Sequence, residues 1–108
     1  MEIIDNCTLL RKIMYYRITK ATVKPGAFDD AMTTMESLRK SIGEINGLVS
    51  SILIRTSENE LLAVAAYRSK ADLESSEIKF KELMVDMMPY MAGTPQITFG
   101  EGVFSFNS

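Results

Sequence analysis

Apolar residues recur along the chain with two different periods, and the change of period marks out its elements. Residues 14–23, "MYYRITKATV", are rich in β-branched and aromatic types and predict a strand. The strand ends at "KPG", because Pro25 has no amide hydrogen for a ladder and Gly26 tolerates a turn. Phe28, Met32, Met35, Leu38, Ile42 and Ile45 then follow at intervals of 4, 3, 3, 4 and 3 residues, which is one face of a helix. Asp29 and Asp30 lie in its first turn, where the helix dipole favours negative charge, and Asn46-Gly47 supplies a left-handed stop. "LVSSILIRT" (48–56) and "LLAVAAYR" (61–68) predict two more strands, joined as an antiparallel hairpin through "SENE". "SKAD" (69–72) resembles a capping box and opens a second helix, expected to run to about Met91 with Phe80, Met84, Met87 and Met91 on its buried face. In the closing "PQITFGEGVFSF", Ile97 and Phe99 fall on odd positions and Phe104 and Phe106 on even ones. A single strand with a bulge at Gly100-Glu101-Gly102 would bring all four to one face.

The order β-α-β-β-α-β predicts a ferredoxin-like α+β fold, a four-stranded antiparallel sheet with two helices on one face. The uncovered face should then be polar, but it is not. Leu61, Ala63, Ala65 and Tyr67 point one way and Leu62, Val64 and Ala66 the other, while Ile52 and Ile54 lie opposite Val49 and Leu53. So large an apolar face predicts a second copy packed sheet to sheet as a homodimer. The alternative is that residues 1–13 fold over it. Those residues are expected to form an N-terminal leader, either a short amphipathic helix or a disordered arm, before a domain spanning 14–108.

A chain of 108 residues with 46% hydrophobic content suits one domain with one core. The net charge of −2, with both signs interspersed, leaves no footprint for nucleic acid and no basic face for a membrane surface. No apolar run approaches the roughly 18 residues of a membrane span. "MEIIDNCTLLRKIM" makes a poor signal peptide, and the one cysteine, Cys7, has no internal partner, so a cytoplasmic location is expected.

"VKPGAFDDAMTTMESL", "NGLVSSILIRT", "AAYRSKADL" and "FKELM" follow in order the pattern of the antibiotic biosynthesis monooxygenase-like family, and the chain resembles that family over about residues 14–106. The resemblance implies a dimeric α+β barrel with a ligand cavity in each subunit between the sheet and the helices. It also implies a range of activities, from cofactor-independent and quinol monooxygenases to haem degradation. Haem-degrading members use an Asn on the first strand, a Trp early in the second helix and a His further along it. Here those positions fall on Thr19, on Ser75 or Ser76, and on Met84, and a His that other members carry falls on Lys79.

The chain has no histidine, so a general acid or base would have to be a shifted Glu, Asp, Lys, Tyr or Cys. No metal-ligand pattern is present and no cofactor is expected. Glu74 and Glu77 stand at helical spacing and read as a surface pair, and "DLESSEIK" reads as a solvated first turn. The residues expected to line a cavity are Arg17, Thr19 and Tyr67 on the sheet, and Ser76, Met84 and Met87 on the second helix. Arg17 would bind a carboxylate or stabilise an oxyanion. Ala63 and Ala65 beside Tyr67 leave room for a ligand or for a close-packed helix, and the methionines suit either an adaptable pocket or a filled core. Two functions therefore stand. One is a cofactor-independent oxygenase acting on a small, largely apolar phenolic or quinol substrate. The other is a non-catalytic binding or structural dimer of the same fold. The catalytic residues are unassigned in both.

Overall fold

The computed structural model describes residues 14–106. The expected leader, with Cys7, lies outside the described residues. Four strands, β1 (Tyr15–Thr22), β2 (Leu48–Ser57), β3 (Glu60–Tyr67) and β4 (Gln96–Glu101), form one antiparallel sheet in the order β2-β3-β1-β4. This is the ferredoxin-like arrangement that the element order predicts.

Each expected long helix is interrupted. The first divides into α1 (Phe28–Ser37) and α2 (Arg39–Gly43), with Leu38 between them at ψ near 0°. The second divides into α3 (Lys70–Ser75) and α4 (Glu77–Met87), followed by a 3₁₀ turn at Met88–Tyr90. The hinge is Ser76, whose hydroxyl donates to the Leu73 carbonyl at 2.7 Å and so competes with the regular ladder. One half of the capping box at α3 forms, with the Asp72 amide donating to Ser69 Oγ at 3.1 Å, while the Asp72 carboxylate lies 3.7 Å from Arg68 Nε. Gly47 has φ +83° and carries the chain into β2, and a Cβ there would run into the Asp72 side chain.

Strand register sorts the side chains. Arg17 pairs with Ala65, Thr19 with Ala63 and Tyr15 with Tyr67, while Ser51 and Leu53 lie beside Ala65 and Ala63. That face carries the helices. Val23, Ala31, Leu61 and Met87 form a buried cluster at one end of it, with Phe28, Met32, Met35 and Tyr90 packed around them. The opposite face carries Ile18, Leu62, Val64, Ile52 and Ile54, of which Ile52 and Ile54 are exposed.

The last strand differs from expectation. β4 stays in register with β1 through Gly100 and Glu101, with no bulge, and Ile97 and Phe99 pair with Thr19 and Arg17 on the helix face. The ladder closes with the Gly102 amide donating to the Met14 carbonyl at 2.8 Å. The Tyr16 ring passes so close to Gly102 that a Cβ would lie 2.8 Å from it. Beyond that point Val103, Phe104 and Phe106 leave the sheet and are almost fully exposed, because among the described residues β1 offers no further pairing partner.

Candidate functional site

Arg17 comes from β1, an interior strand, on the face beneath the helices, and its side chain is 1% exposed. A buried guanidinium costs free energy unless its charge and hydrogens are matched. Most of the matching comes from two segments. Nη1 donates to the Tyr67 hydroxyl at 2.5 Å across the β1–β3 pair. Nη2 donates to Ser76 Oγ at 3.3 Å and to Glu77 Oε1 at 3.0 Å, both at the hinge of the second helix. Phe80, one turn into α4, lies under the cation with its ring centroid 3.9 Å from the guanidinium carbon. The Tyr67 and Phe99 rings stand further out, at 5.3 and 5.8 Å.

The hinge is thus explained by the cation. Turning the helix at Ser76 brings the Ser76 hydroxyl and the Glu77 carboxylate onto one edge of the guanidinium. "DLESSEIK" is accordingly more than a solvated first turn: Ser76 is buried, and Glu77, half-exposed on the same side as Glu74, also pairs with Arg17. Among the described residues, Arg17 Nε is the one buried side-chain nitrogen or oxygen with no hydrogen-bond partner. That is the sharpest irregularity of the site, since an unmatched buried donor needs an explanation.

Next to it lies a cavity of about 130 Å³ between the sheet and the helices. Arg17, Thr19 and Tyr67 form its polar wall, and Ala63 and Ala65 its floor. Met84, Met87, Leu83 and Phe80 of α4 stand opposite, and Met35 of α1, Leu38 at the break, Ile42 of α2 and Ile45 just beyond it complete the lining. The small floor residues, in register with Arg17 and Thr19, keep the space open. Of the six residues expected at a cavity, Arg17, Thr19, Tyr67, Met84 and Met87 line this one; Ser76 lies behind it, holding Arg17. Residue-by-residue reading missed Glu77 and Phe80 as partners of Arg17. Their spacing from Ser76, one and four residues, was a usable signal only once Ser76 was known to turn inward. Among the described residues, Arg17 and Tyr67 are the only ionisable side chains in the lining, no carboxylate lines it, and no group of three or more metal-ligating residues occurs. No helix among the described residues is long and apolar enough to cross a membrane.

Comparison with solved structures shows where this fold recurs. A "putative antibiotic biosynthesis monooxygenase" from Caulobacter crescentus CB15 superposes with a TM-score of 0.73 at 22% identity, covering 93% of this chain and 99% of that one. SnoaB, a cofactor-independent oxygenase from Streptomyces nogalater, in its N63A mutant, superposes at 0.73 with 13% identity, covering 88% and 98%. A protein of unknown function from Nitrosomonas europaea gives 0.74 at 12% identity, covering 90% and 96%. No family model and no curated protein matches the sequence. The chain therefore has the fold of the antibiotic biosynthesis monooxygenase-like structures, as the order of its motifs suggested.

Proposed function

We propose that this chain is a monooxygenase-like protein of that family, cofactor-independent, whose cavity takes a small, largely apolar phenolic or quinol ring. The observation that carries the reading is the buried Arg17 with an unmatched Nε beside an apolar cavity. Pockets of this kind combine an apolar lining with a few polar groups that fix orientation. The volume, about 130 Å³, is near the roughly 150 Å³ in which a dry apolar cavity holds benzene, so the ligand has a single ring.

In this reading the substrate supplies its own electrons. A hydroquinone that has lost a proton reacts with O₂; one oxygen atom enters the ring and the other leaves in water, giving a hydroxyquinone. The protein contributes a water-poor space and, at the Glu77-paired Arg17 and at Tyr67, hydrogen-bond donors for the ring oxygen on which negative charge develops. Tyr67 and Thr19 orient the ring, and Met84 and Met87 pack its face. The test is oxygen uptake with a panel of single-ring hydroquinones, with the hydroxyquinone identified by mass spectrometry. Uptake above the uncatalysed rate, abolished in Arg17→Met, supports the oxygenase. Unchanged autoxidation across the panel removes it.

A second reading, a binding module without chemistry, is favoured by the cavity lining, whose described residues include no carboxylate and no histidine. Saturable binding of the same hydroquinones without oxygen uptake would establish it.

A homodimer belongs to both readings. Ile18, Ile52, Ile54, Leu62 and Val64 make a contiguous apolar face opposite the helices, and a second copy of that face is the natural cover.

A further inference from the structure

We propose that residues 9–13, "LLRKI", close a groove between α3 and β4, with Leu9, Leu10 and Ile13 as apolar cover and Arg11 and Lys12 facing the groove's carboxylates. The inference is independent of what the cavity binds.

The helix layer leaves β4 partly bare. Phe99 lies on the helix face of that strand, paired with Arg17, yet it is 52% exposed, and Ile97 on the same face is 39% exposed. An open groove of about 430 Å³ runs there. Leu73 of α3, Tyr15 and Phe99 give it an apolar lining, and Lys70, Glu74, Glu77 and Glu101 a charged one. Three carboxylates thus meet one ammonium. Glu77 is paired with Arg17, and among the described residues neither Glu74 nor Glu101 forms an ion pair. Bare aromatic surface beside an excess of negative charge suits an occupant that is apolar and carries positive charge.

The chain delivers such a segment to this place. The carbonyl of Met14 accepts from the Gly102 amide, and Tyr15, the next residue, lines the groove opposite Glu101. Residues 9–13 therefore start at the edge of the groove, and five residues reach up to roughly 17 Å. Their composition fits, with three apolar side chains, two adjacent basic ones and no acid. The acidic residues of this stretch, Glu2 and Asp5, stand further from Met14 in sequence. A segment tethered so closely is present at an effective concentration on the order of millimolar, so a few weak contacts suffice. The open sheet face is a poorer match: beside Met14 its described residues are Tyr16, Ala66 and Gly100, with no carboxylate.

Limited proteolysis of the full chain with thermolysin, which cuts on the amino side of Leu and Ile, reads the docking. Cut sites are identified by mass spectrometry, and a free peptide of residues 1–14 is the undocked reference. Cleavage before Leu9 and Leu10 is expected to be at least about tenfold slower in the chain than in the peptide, because a closed segment is cut in proportion to its open population. Arg11→Glu with Lys12→Glu, judged against a peptide of the same sequence, should remove most of that protection without altering the described domain. Glu74→Lys with Glu101→Lys should do the same from the groove side, and it leaves the Glu77–Arg17 pair in place. Both reversals together should restore protection to within about threefold of the wild type. Thr98→Lys, on the other face of β4, should change nothing. Cleavage of the wild type at the peptide's rate overturns the proposal, as does protection that neither reversal moves. Protection lifted only by Thr98→Lys would place the segment on the open sheet face, and protection lost on dilution would place it on a second copy; either result overturns the proposal too.

Discussion

Replacing Tyr67 by Phe takes one oxygen from the wall of the cavity and leaves the ring in place. In the folded chain that oxygen accepts from Arg17 Nη1 at 2.5 Å, and both side chains are 1% exposed. Nε already lacks a partner, so the variant would leave the guanidinium with donors unmatched on both Nε and Nη1. A hydrogen bond to a charged group contributes roughly 1.5–3 kcal/mol, and stranding a buried donor costs the upper part of such a range. Nothing offsets the loss, because the ring stays where it is and the cavity is not filled. We expect about 2 kcal/mol of destabilisation, which for a domain of this size is a fall in melting temperature of very roughly 8–16 °C. The assay is urea denaturation followed by circular dichroism, with wild type and variant at one protein concentration so that association does not enter the comparison. A loss below about 0.5 kcal/mol would mean that Nη1 is satisfied some other way. The Tyr67 hydroxyl would then not be the partner that matches Nη1.

Four further outcomes are expected. Gly47→Ala should cost about 2–4 kcal/mol by the same denaturation assay, since it combines a residue at φ +83° with overlap on Asp72; a neutral result would show that the Gly47–Asp72 approach relaxes freely. Light scattering at micromolar concentration should give about twice the 12.1 kDa chain mass, and Ile52→Lys on the open sheet face should return it to one; a monomeric wild type would contradict the sheet-to-sheet packing. Ala65→Leu should fill the floor of the cavity and abolish hydroquinone binding in a titration, while retained affinity would place the ligand elsewhere. Haem added with a reductant should keep its Soret band, because Thr19, Ser75 or Ser76, and Met84 stand where haem-degrading relatives are expected to carry Asn, Trp and His; progressive bleaching would contradict that positional reading.

The elements were legible wherever period and punctuation agreed. The α1–α2 face from Phe28 to Ile45 is set by spacing alone, and Gly47, Pro25 and the Ser69 cap mark ends that local chemistry dictates. The two-sided apolar character of β3 was likewise visible, because alternation in a strand is strict. The hinge at Ser76 was not visible. A serine in mid-helix is ordinary in sequence, and what turns the helix there is a cation 59 residues away on another strand. Glu77 was hidden for the same reason: at helical spacing from Glu74 it reads as a solvated charge, and only tertiary structure supplies its partner. The final strand misled in the opposite way. The phase change across Gly100–Gly102 has the pattern of a bulge, whereas the glycine at 102 admits the Tyr16 ring and the ladder ends there. The sequence put Arg17 among the residues expected to line a cavity. It could not say that one of its nitrogens would be left without a partner.

The most direct test of a ring-binding cavity built on Arg17 is a crystal structure of the chain grown with hydroquinone under anaerobic conditions. One ring is expected between Ala63, Ala65 and the Met84–Met87 wall, with a ring oxygen about 2.7–3.2 Å from the Arg17 guanidinium or the Tyr67 hydroxyl and the Glu77 pair intact. An empty, closed-up cavity, or a ring bound away from both Arg17 and Tyr67, would contradict the account.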